Sequence, residues 1–251
     1  MGKVYLVGAG PGAADLLTVR AVRLLQQADV VLHDALVTRE IVELAPRARC
    51  IAVGKRGGRV STAQRFINRA MVAAAKTHAI VVRLKGGDPL VFGRAHEEMQ
   101  ALRQAGIEFE VVPGITAALA AAAQCKTSLT QRGVARGVSL RTASLVDGVL
   151  NTAWPSVDEH NTEFFYMAGS RLGEIARQLL ARGWSPRTAA LIAANVSLAE
   201  ASRTLTTLGE LAWGEPPAAE GPILLGVGEV FAQAEHTEID IQTLQSMGAL
   251  A

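Results

Sequence analysis

The chain has 251 residues, is 49% hydrophobic and carries a formal net charge of +2. A sizeable aliphatic core is therefore possible, and the small net charge gives no indication of a nucleic-acid partner. The apolar runs are too short for a transmembrane helix, which argues against a membrane protein. The two cysteines are far apart and the five histidines are scattered, so neither a disulfide framework nor a metal site is expected. Because no signal-peptide pattern precedes the first strand-like run, we expect a cytoplasmic protein.

In the first half of the chain, apolar runs alternate with segments of helical periodicity. Strands are predicted at KVYLVGAG, DVVLHDALV, RCIAVGKR, HAIVVRLKGG and IEFEVVPG. Helices are predicted at DLLTVRAVRLLQQA, TREIVELAP, TAQRFINRAMVAAAKT and GRAHEEMQALRQAG. Continuous apolar strands separated by helices are typical of a parallel sheet that is covered on both faces. We therefore predict an α/β domain over residues 1–115, followed by a helix at ITAALAAAAQCK.

The second half of the chain has a less regular pattern. Strands are predicted at GVSLRTASLV, EFFYMAG, TAALIAANVSL and GPILLGVGEV, and a helix at SRLGEIARQLLARG. The segment LTTLGELAW is interpreted as a short helix or turn, and residues 146–162 as a loop in which Trp154 is partly packed. These elements predict a second α/β domain over residues 116–235, with a tail at 236–251 that has little periodicity.

Glycines follow the first predicted strand in the motif Gly8-Ala9-Gly10-Pro11-Gly12. Glycine allows a tight turn and lets a ligand approach the main chain. The spacing differs from the Gly-x-Gly-x-x-Gly of dinucleotide-binding folds, and Pro11 lacks an N–H that could bind phosphate. The motif alone leaves two interpretations open, a ligand-binding turn and a purely structural turn.

Two further strands end on small residues. Gly86-Gly87-Asp88-Pro89 ends the fourth strand, and Pro113-Gly114 ends the fifth, shortly before Thr116. Open α/β sheets bind ligands at the carboxyl ends of their strands. Glycines there leave space, Asp88 and Thr116 offer polar atoms, and no Gly-Lys-Ser/Thr loop is present for a triphosphate. The pattern favours a pocket for a nucleoside.

Seven segments occur in the order that is found in the tetrapyrrole methylases. They are GAGPG, the aspartate of HDALV, VGKR, RLKGGDPLVFGR, VPGITAA, LTQR and FYMAG. The chain resembles this family over roughly residues 3–232, and RLKGGDPLVFGR with VPGITAA is the most specific part. The resemblance implies two α/β domains of the tetrapyrrole methylase type, with the cofactor S-adenosyl-L-methionine in the cleft between them, and a homodimer. It also implies C-methylation of uroporphyrinogen III at C2 and C7, which yields precorrin-2 and S-adenosyl-L-homocysteine.

The resemblance further implies which residues form the site. Carried over by motif, the cofactor contacts are Pro11, Gly86, Gly87, Asp88, Val91, Thr116, Ala117, Met167 and either Asn195 or Val196. The catalytic candidates are Asp34, Lys55, Arg94, Glu97 and Arg132. Among the latter, Asp34 and Lys55 occupy the positions that the family pattern labels as proton acceptor and proton donor. Alternatives from the residues themselves are a solvated i,i+3 ion pair for Arg94 with Glu97, and an ordinary surface charge for Lys55.

The chain departs from the family pattern at positions on the substrate side. FGRAHEE replaces FGRGGEE, LTQRG replaces LTHRD, and Ala35 stands where an arginine is common. The cofactor motifs are intact, so methyl transfer remains the leading interpretation. Two alternatives stay open: a methylase of the same fold that acts on another precorrin or a different substrate, and a non-catalytic protein that binds S-adenosylmethionine or a tetrapyrrole.

Overall fold

The structure of the protein, a computed structural model, describes residues 2–54, 64–144, 149–215 and 221–234. The chain divides into two compact units, residues 1–120 and 121–251, called unit 1 and unit 2 below. The domain limits expected from the sequence, 1–115 and 116–235, stay a prediction. The tail at 236–251 and the candidate Lys55 lie outside the described residues.

Unit 1 contains a five-stranded sheet with the order β3-β2-β4-β1-β5. Each neighbouring pair is parallel, which confirms the sheet predicted from the sequence. The strands are β1 (Lys3–Gly8), β2 (Val30–His33), β3 (Arg49–Ala52), β4 (Ile80–Lys85) and β5 (Phe109–Val112). The helices are α1 (Val19–Gln27), α2 (Arg39–Glu43), α3 (Gln64–Thr77) and α4 (Ala95–Gln104).

Two buried clusters explain why these strands are apolar at consecutive positions. Leu32 packs in a cluster with Met71 of α3 and Leu102 of α4. Its neighbour Val31 packs in a second cluster with Leu25 of α1. Because successive side chains of a strand point to opposite faces, both faces of the sheet must be apolar where helices cover both.

Unit 2 contains a mixed five-stranded sheet with the order β6-β7-β10-β8-β9. Only the β6–β7 pair is parallel, and the other neighbours are antiparallel. The strands are β6 (Gly137–Thr142), β7 (Asn161–Tyr166), β8 (Ala189–Ala194), β9 (Ser202–Thr207) and β10 (Ile223–Val227). The helices are α5 (Ala117–Gln124), which contains the unit boundary, α6 (Leu172–Leu180) and α7 (Leu208–Trp213). Short 3₁₀ turns lie at Ala14–Leu16, Gly169–Arg171 and Glu229–Gln233.

The segment interpreted as a short helix or turn, LTTLGELAW, is divided between a strand and a helix. Residues 202–207 form β9, which pairs with β8, and α7 begins at Leu208. Thr207 and Glu210 form a capping box at this junction. Strand β9 was not predicted from the sequence. It is an edge strand with polar residues at most positions, so it has no apolar run.

The loop before β7 is anchored by Trp154, as expected. This indole is buried and meets Phe165 edge to face, with ring centroids 4.8 Å apart. Phe165 lies in the core of unit 2 together with Leu172, Ile175 and Leu225.

Candidate functional site

Three glycines bring the ends of β1, β4 and β5 into backbone contact. A Cβ atom on Gly8 would lie 2.6 Å from Cα of Gly114, and one on Gly114 would collide with the carbonyl oxygen of Gly87. Gly87 and Gly10 also exchange backbone hydrogen bonds, N to O, of 2.7 and 3.2 Å. A side chain at Gly8 or Gly114 would collide with the neighbouring backbone, so glycine at these two positions lets the motifs GAGPG, KGGDP and VPG meet at one edge of the unit 1 sheet.

Asp88 ties the loop after β4 to the loop after β5. Its Oδ2 accepts a hydrogen bond from the backbone N–H of Gly114 at 3.0 Å, and its Oδ1 accepts one from Leu90 at 2.8 Å. Each carboxylate oxygen has two lone pairs, so both keep capacity for another donor. The carboxylate therefore shapes the strand ends whether or not it also contacts a ligand.

Space is left above Gly87. Its φ angle is +67°, and no atom of the described residues lies within 4 Å of the position that a Cβ would take. Thr116, immediately before α5, is buried, and Ala117, the first residue of that helix, is half-buried. Pro11, Gly86 and Val91 are also half-buried. The structure thus gathers the unit 1 cofactor candidates around strand ends that have room for a ligand.

The unit 2 candidates lie at one edge of the second sheet. Met167 follows β7 and Asn195 follows β8; both strands run antiparallel to β10, so their carboxyl ends point the same way. Met167 and Asn195 have φ angles of +58° and +50°, and Ser197 has +68°. Such angles are uncommon for non-glycine residues and are concentrated at functional sites. Met167 is half exposed, whereas Val196 is buried, so only backbone atoms of Val196 are suited to contact a ligand.

Asp34, directly after β2, is bound by a buried arginine that the sequence analysis missed. Arg83 donates from Nη2 to Oδ1 of Asp34 at 2.5 Å and from Nε to Oε1 of Glu98 at 2.9 Å. Lys85 Nζ lies 2.9 Å from Oε2 of the same glutamate. Burial lowers the pKa of Lys85, and Arg83 lowers this pKa further. The available signal was the pair of cations inside the apolar run IVVRLK of β4.

A cavity of about 460 Å³ adjoins Asp34. Its other lining residues come from β2, β3, α2 and the turns that follow the two strands: His33, Ala35, Val37, Arg39, Val42, Ala52 and Gly54. The Asp34 carboxylate is 30% exposed and is therefore accessible to a molecule that enters.

Arg94 and Glu97 form the i,i+3 ion pair that was the alternative to a substrate-binding role. Arg94 donates from Nε and Nη2 to the two carboxylate oxygens of Glu97, each at 2.8 Å. Both side chains are about half exposed. The hydrogen bonds from Arg94 hold the pKa of Glu97 below its usual value, which makes this carboxylate a weak base. Arg94 itself has a φ angle of +56° directly before α4.

The last catalytic candidate, Arg132, lies in unit 2 at an exposed turn. Gln131 and Ala135 exchange two backbone hydrogen bonds of 2.9 Å, and Arg132 is exposed between them. Over the described ranges, no three His, Cys, Asp or Glu residues are grouped as metal ligands, and no helix is long and apolar enough to cross a membrane.

Comparison with known proteins gives the family of this chain. The model for tetrapyrrole (corrin/porphyrin) methylases matches residues 3–212. The chain is 47% identical over 231 residues to uroporphyrinogen-III C-methyltransferase of Pseudomonas aeruginosa, which covers 91% of this chain and 94% of that protein. It is 45% identical to siroheme synthase of Psychrobacter sp. over 92% of this chain, but spans only 48% of that protein. A crystal structure of uroporphyrin-III C-methyl transferase from Thermus thermophilus, complexed with S-adenyl homocysteine, matches with a TM-score of 0.79 and 38% identity, over 92% of this chain and 99% of that one. The chain therefore belongs to the tetrapyrrole methylase family.

Proposed function

We propose that this protein transfers methyl groups from S-adenosyl-L-methionine to carbon atoms of uroporphyrinogen III, giving precorrin-2 and S-adenosyl-L-homocysteine. The observation that carries this proposal is the open space above Gly87, at glycine-lined strand ends whose motifs are those of the family. The identity to the Pseudomonas enzyme over nearly its whole length supports the choice of substrate. Because the chain spans about half of the siroheme synthases, no further activity of those longer proteins is proposed.

The residues at the strand ends fit the cofactor. Gly87 has no side chain where a nucleoside would approach, and Asp88 and Thr116 supply polar atoms for its hydroxyl and amino groups. No described motif provides the cationic loop that a triphosphate needs. S-adenosylmethionine supplies an activated methyl group, so the residues of this chain mainly orient the two reactants and exclude water.

Asp34 is the candidate for proton removal that the geometry favours. Methylation of a pyrrole carbon leaves positive charge on the ring until a proton departs, and a carboxylate can accept that proton. Among the described residues, Arg83 donates a hydrogen bond to Oδ1 of Asp34. The Asp34 carboxylate also borders the cavity of about 460 Å³. Glu97 is less suited, because Arg94 occupies both of its oxygens. Lys55 remains a proposed proton donor on the family pattern alone.

Arginines are proposed to bind the carboxylates of the substrate. Uroporphyrinogen carries several carboxylate groups, and a guanidinium can bind each with two parallel hydrogen bonds. Arg94 and Arg132 have exposed side chains that can serve this purpose. On the family resemblance we also propose a homodimer and a cytoplasmic location; light scattering during size-exclusion chromatography tests the dimer.

An anaerobic incubation with uroporphyrinogen III and S-adenosylmethionine, followed by mass analysis, tests the function. We expect methylated tetrapyrrole and a matching amount of S-adenosylhomocysteine. Omitting the enzyme, or supplying S-adenosylhomocysteine alone, serves as the control. Tight binding of the tetrapyrrole without any methylated product would favour a carrier, and methylation of a later precorrin only would favour a different methylase of the same fold.

A further inference from the structure

Strand β4 carries two cations on its buried surface. Arg83 and Lys85 are two positions apart, so they share one face of the strand, and both side chains are almost completely buried. Removing a guanidinium and an ammonium from water is costly unless partners compensate for the lost hydration. Something in the surroundings must therefore hold these charges.

Glu98 of α4 is that partner. Its side chain is fully buried; Oε1 accepts hydrogen bonds from Arg83 Nε at 2.9 Å and from Gln64 Nε2 at 3.1 Å, and Oε2 lies 2.9 Å from Lys85 Nζ. Arg83 also donates from Nη1 to the carbonyl oxygens of Leu32 at 3.3 Å and Leu84 at 3.2 Å. Two of the three guanidinium nitrogens are thus engaged, which fixes the orientation of Arg83.

The remaining nitrogen, Nη2, holds Asp34, which is the only accessible member of the group. Asp34 is 30% exposed, whereas the side chains of Arg83, Lys85 and Glu98 are each at most 3% exposed. The two cations and two anions balance when Asp34 is ionised, and a proton on Asp34 would leave one positive charge in excess. A buried ion group is often no more stabilising than apolar side chains of the same volume. Stability alone is therefore a weak reason for it.

We infer that Arg83 and Glu98 are positioning residues for Asp34: Glu98 fixes Arg83, and Arg83 holds the Asp34 carboxylate in place beside the cavity. The expected effect on catalysis rests on the proposed function, whereas the contacts between Glu98, Arg83 and Asp34 do not. Among the described residues, the other titratable or charged groups near Asp34 are His33 on β2 and Arg39 on α2, which line the same cavity, and Lys85 on β4. His33 Nδ1 contacts the backbone oxygen of Asp34, and Arg39 pairs with Glu43, so among these groups Arg83 is the cation in contact with the carboxylate.

Kinetic measurements on a double-mutant cycle test the inference. We expect Asp34→Asn to reduce kcat on the order of 10²-fold, the lower end of what acid–base help contributes. Arg83→Met should reduce kcat about tenfold or more and move the acid limb of the pH profile to higher pH, because the neighbouring cation is lost. Arg83→Lys should recover part of kcat, since the charge remains but the fork is lost.

The double variant decides between positioning and general damage. If Arg83 acts through Asp34, Arg83→Met added to Asp34→Asn should cause no further loss of kcat. Multiplicative losses, with an unshifted pH profile, would overturn the inference. Arg141→Met is the matched control, because it breaks the Arg141–Glu163 ion pair in unit 2. Its kcat and pH profile should remain those of the wild type.

A measurement without substrate separates this inference from the proposed function. The side-chain carboxyl signal of Asp34 can be followed by NMR in isotope-labelled protein and assigned by its loss in Asp34→Asn. We expect the chemical shift of this signal to change in Glu98→Gln, which keeps the volume of Glu98, and in Arg83→Met where that variant folds, because the contact between Arg83 and Asp34 is altered or lost. An unchanged chemical shift in both variants would overturn the coupling of Arg83 to Asp34. Absence of methyl transfer by the wild type would overturn the proposed function, whatever the NMR result.

Discussion

Arg94 combines a backbone conformation that is unusual for its residue type with a bidentate pairing of its side chain to Glu97. The φ angle of +56° is unfavourable for a residue with a Cβ, and such strain is concentrated at functional sites. The guanidinium is paired with Glu97 through Nε and Nη2, yet the pair is half exposed, so an incoming carboxylate can compete for it. An exposed ion pair contributes at most ~1 kcal/mol to stability. Retention of the strained conformation therefore fits a role in binding better than a role in folding.

We predict that Arg94→Ala retains S-adenosylmethionine affinity but loses most turnover. A lost charge-assisted hydrogen bond costs ~1.5–3 kcal/mol, and Arg94→Lys should recover only part of the loss because lysine lacks the fork. Steady-state rates and cofactor titration measure these effects. Arg171→Ala is the control, since Arg171 makes the same i,i+3 pair with Glu174 at the start of α6. Near-wild-type turnover in Arg94→Ala would leave Arg94 as a surface ion pair.

Lys85 gives the protein a predicted dependence of stability on pH. Burial lowers the pKa of Lys85 below its usual value of 10.5, with a further contribution from Arg83, while Glu98 and Asp34 oppose the shift. In the window between the lowered pKa and 10.5, the unfolded chain binds more protons than the native protein, so the free energy of unfolding rises with pH. Urea unfolding at several pH values should show this rise in the wild type relative to Lys85→Met. A stability difference that stays constant across the alkaline range would contradict it.

At the scale of elements, the turn after β4 allows a direct test of the cofactor pocket. Gly87 and Gly106 have nearly the same φ angle, +67° and +65°, and at neither would a Cβ meet an atom of the described residues within 4 Å. Each Gly→Ala change should therefore cost a similar ~1–2 kcal/mol of stability through backbone strain. We predict that only Gly87→Ala weakens S-adenosylmethionine binding, because its methyl group enters the space above β4.

Calorimetric titration of both variants, with their unfolding curves, measures this difference. Gly106 lies in the turn between α4 and β5, so its variant reports the effect of strain alone. Equal cofactor affinity in the two folded variants would show that Gly87 does not border the cofactor pocket.

The central strands β1, β2 and β4 could be predicted from the sequence because helices cover both faces of their sheet, which favours a largely apolar run in each buried strand. Strand β9 could not, because it is a polar edge strand whose identity depends on pairing with β8. The Thr207-x-x-Glu210 capping box was a signal for the start of α7 that went unused. The ion group around Arg83 depends on tertiary contacts between β2, β4 and α4, which sequence spacing does not determine. Asp88 was identified, but the two backbone N–H groups that donate hydrogen bonds to it became known only from the structure.

At the scale of the whole molecule, the balance of charge restricts how an acidic substrate is bound. The chain has 25 basic and 23 acidic residues, so its net charge offers little long-range attraction. Many of these charges are paired with each other, as in the group around Arg83 and the pairs of Arg94 and Arg171. Selective binding of uroporphyrinogen must therefore come from a few local guanidinium contacts rather than from the overall field.

The number of methyl groups transferred is the last prediction. Methylation at carbon leaves the substrate carboxylates unchanged, so the singly methylated product keeps the groups that the arginines bind. The second position must then be presented to a new cofactor molecule, which requires the macrocycle to leave or reorient. We predict a time course in which a singly methylated species rises and falls while a doubly methylated one accumulates, with two equivalents of S-adenosylhomocysteine per final product.

The turn at Gln131 to Ala135 can determine how fast the second transfer follows. Gln131 stands where the family pattern has histidine, and the neighbouring Arg132 is exposed at the same turn. If this departure slows reorientation, Gln131→His should shorten the lifetime of the singly methylated species without changing the first step. Adding excess unlabelled uroporphyrinogen during a reaction with labelled substrate shows whether the intermediate is released, since a released intermediate is then trapped with one methyl group. If the product stops at one methyl group even when no unlabelled uroporphyrinogen is added, the double transfer is contradicted and this chain performs a single methylation.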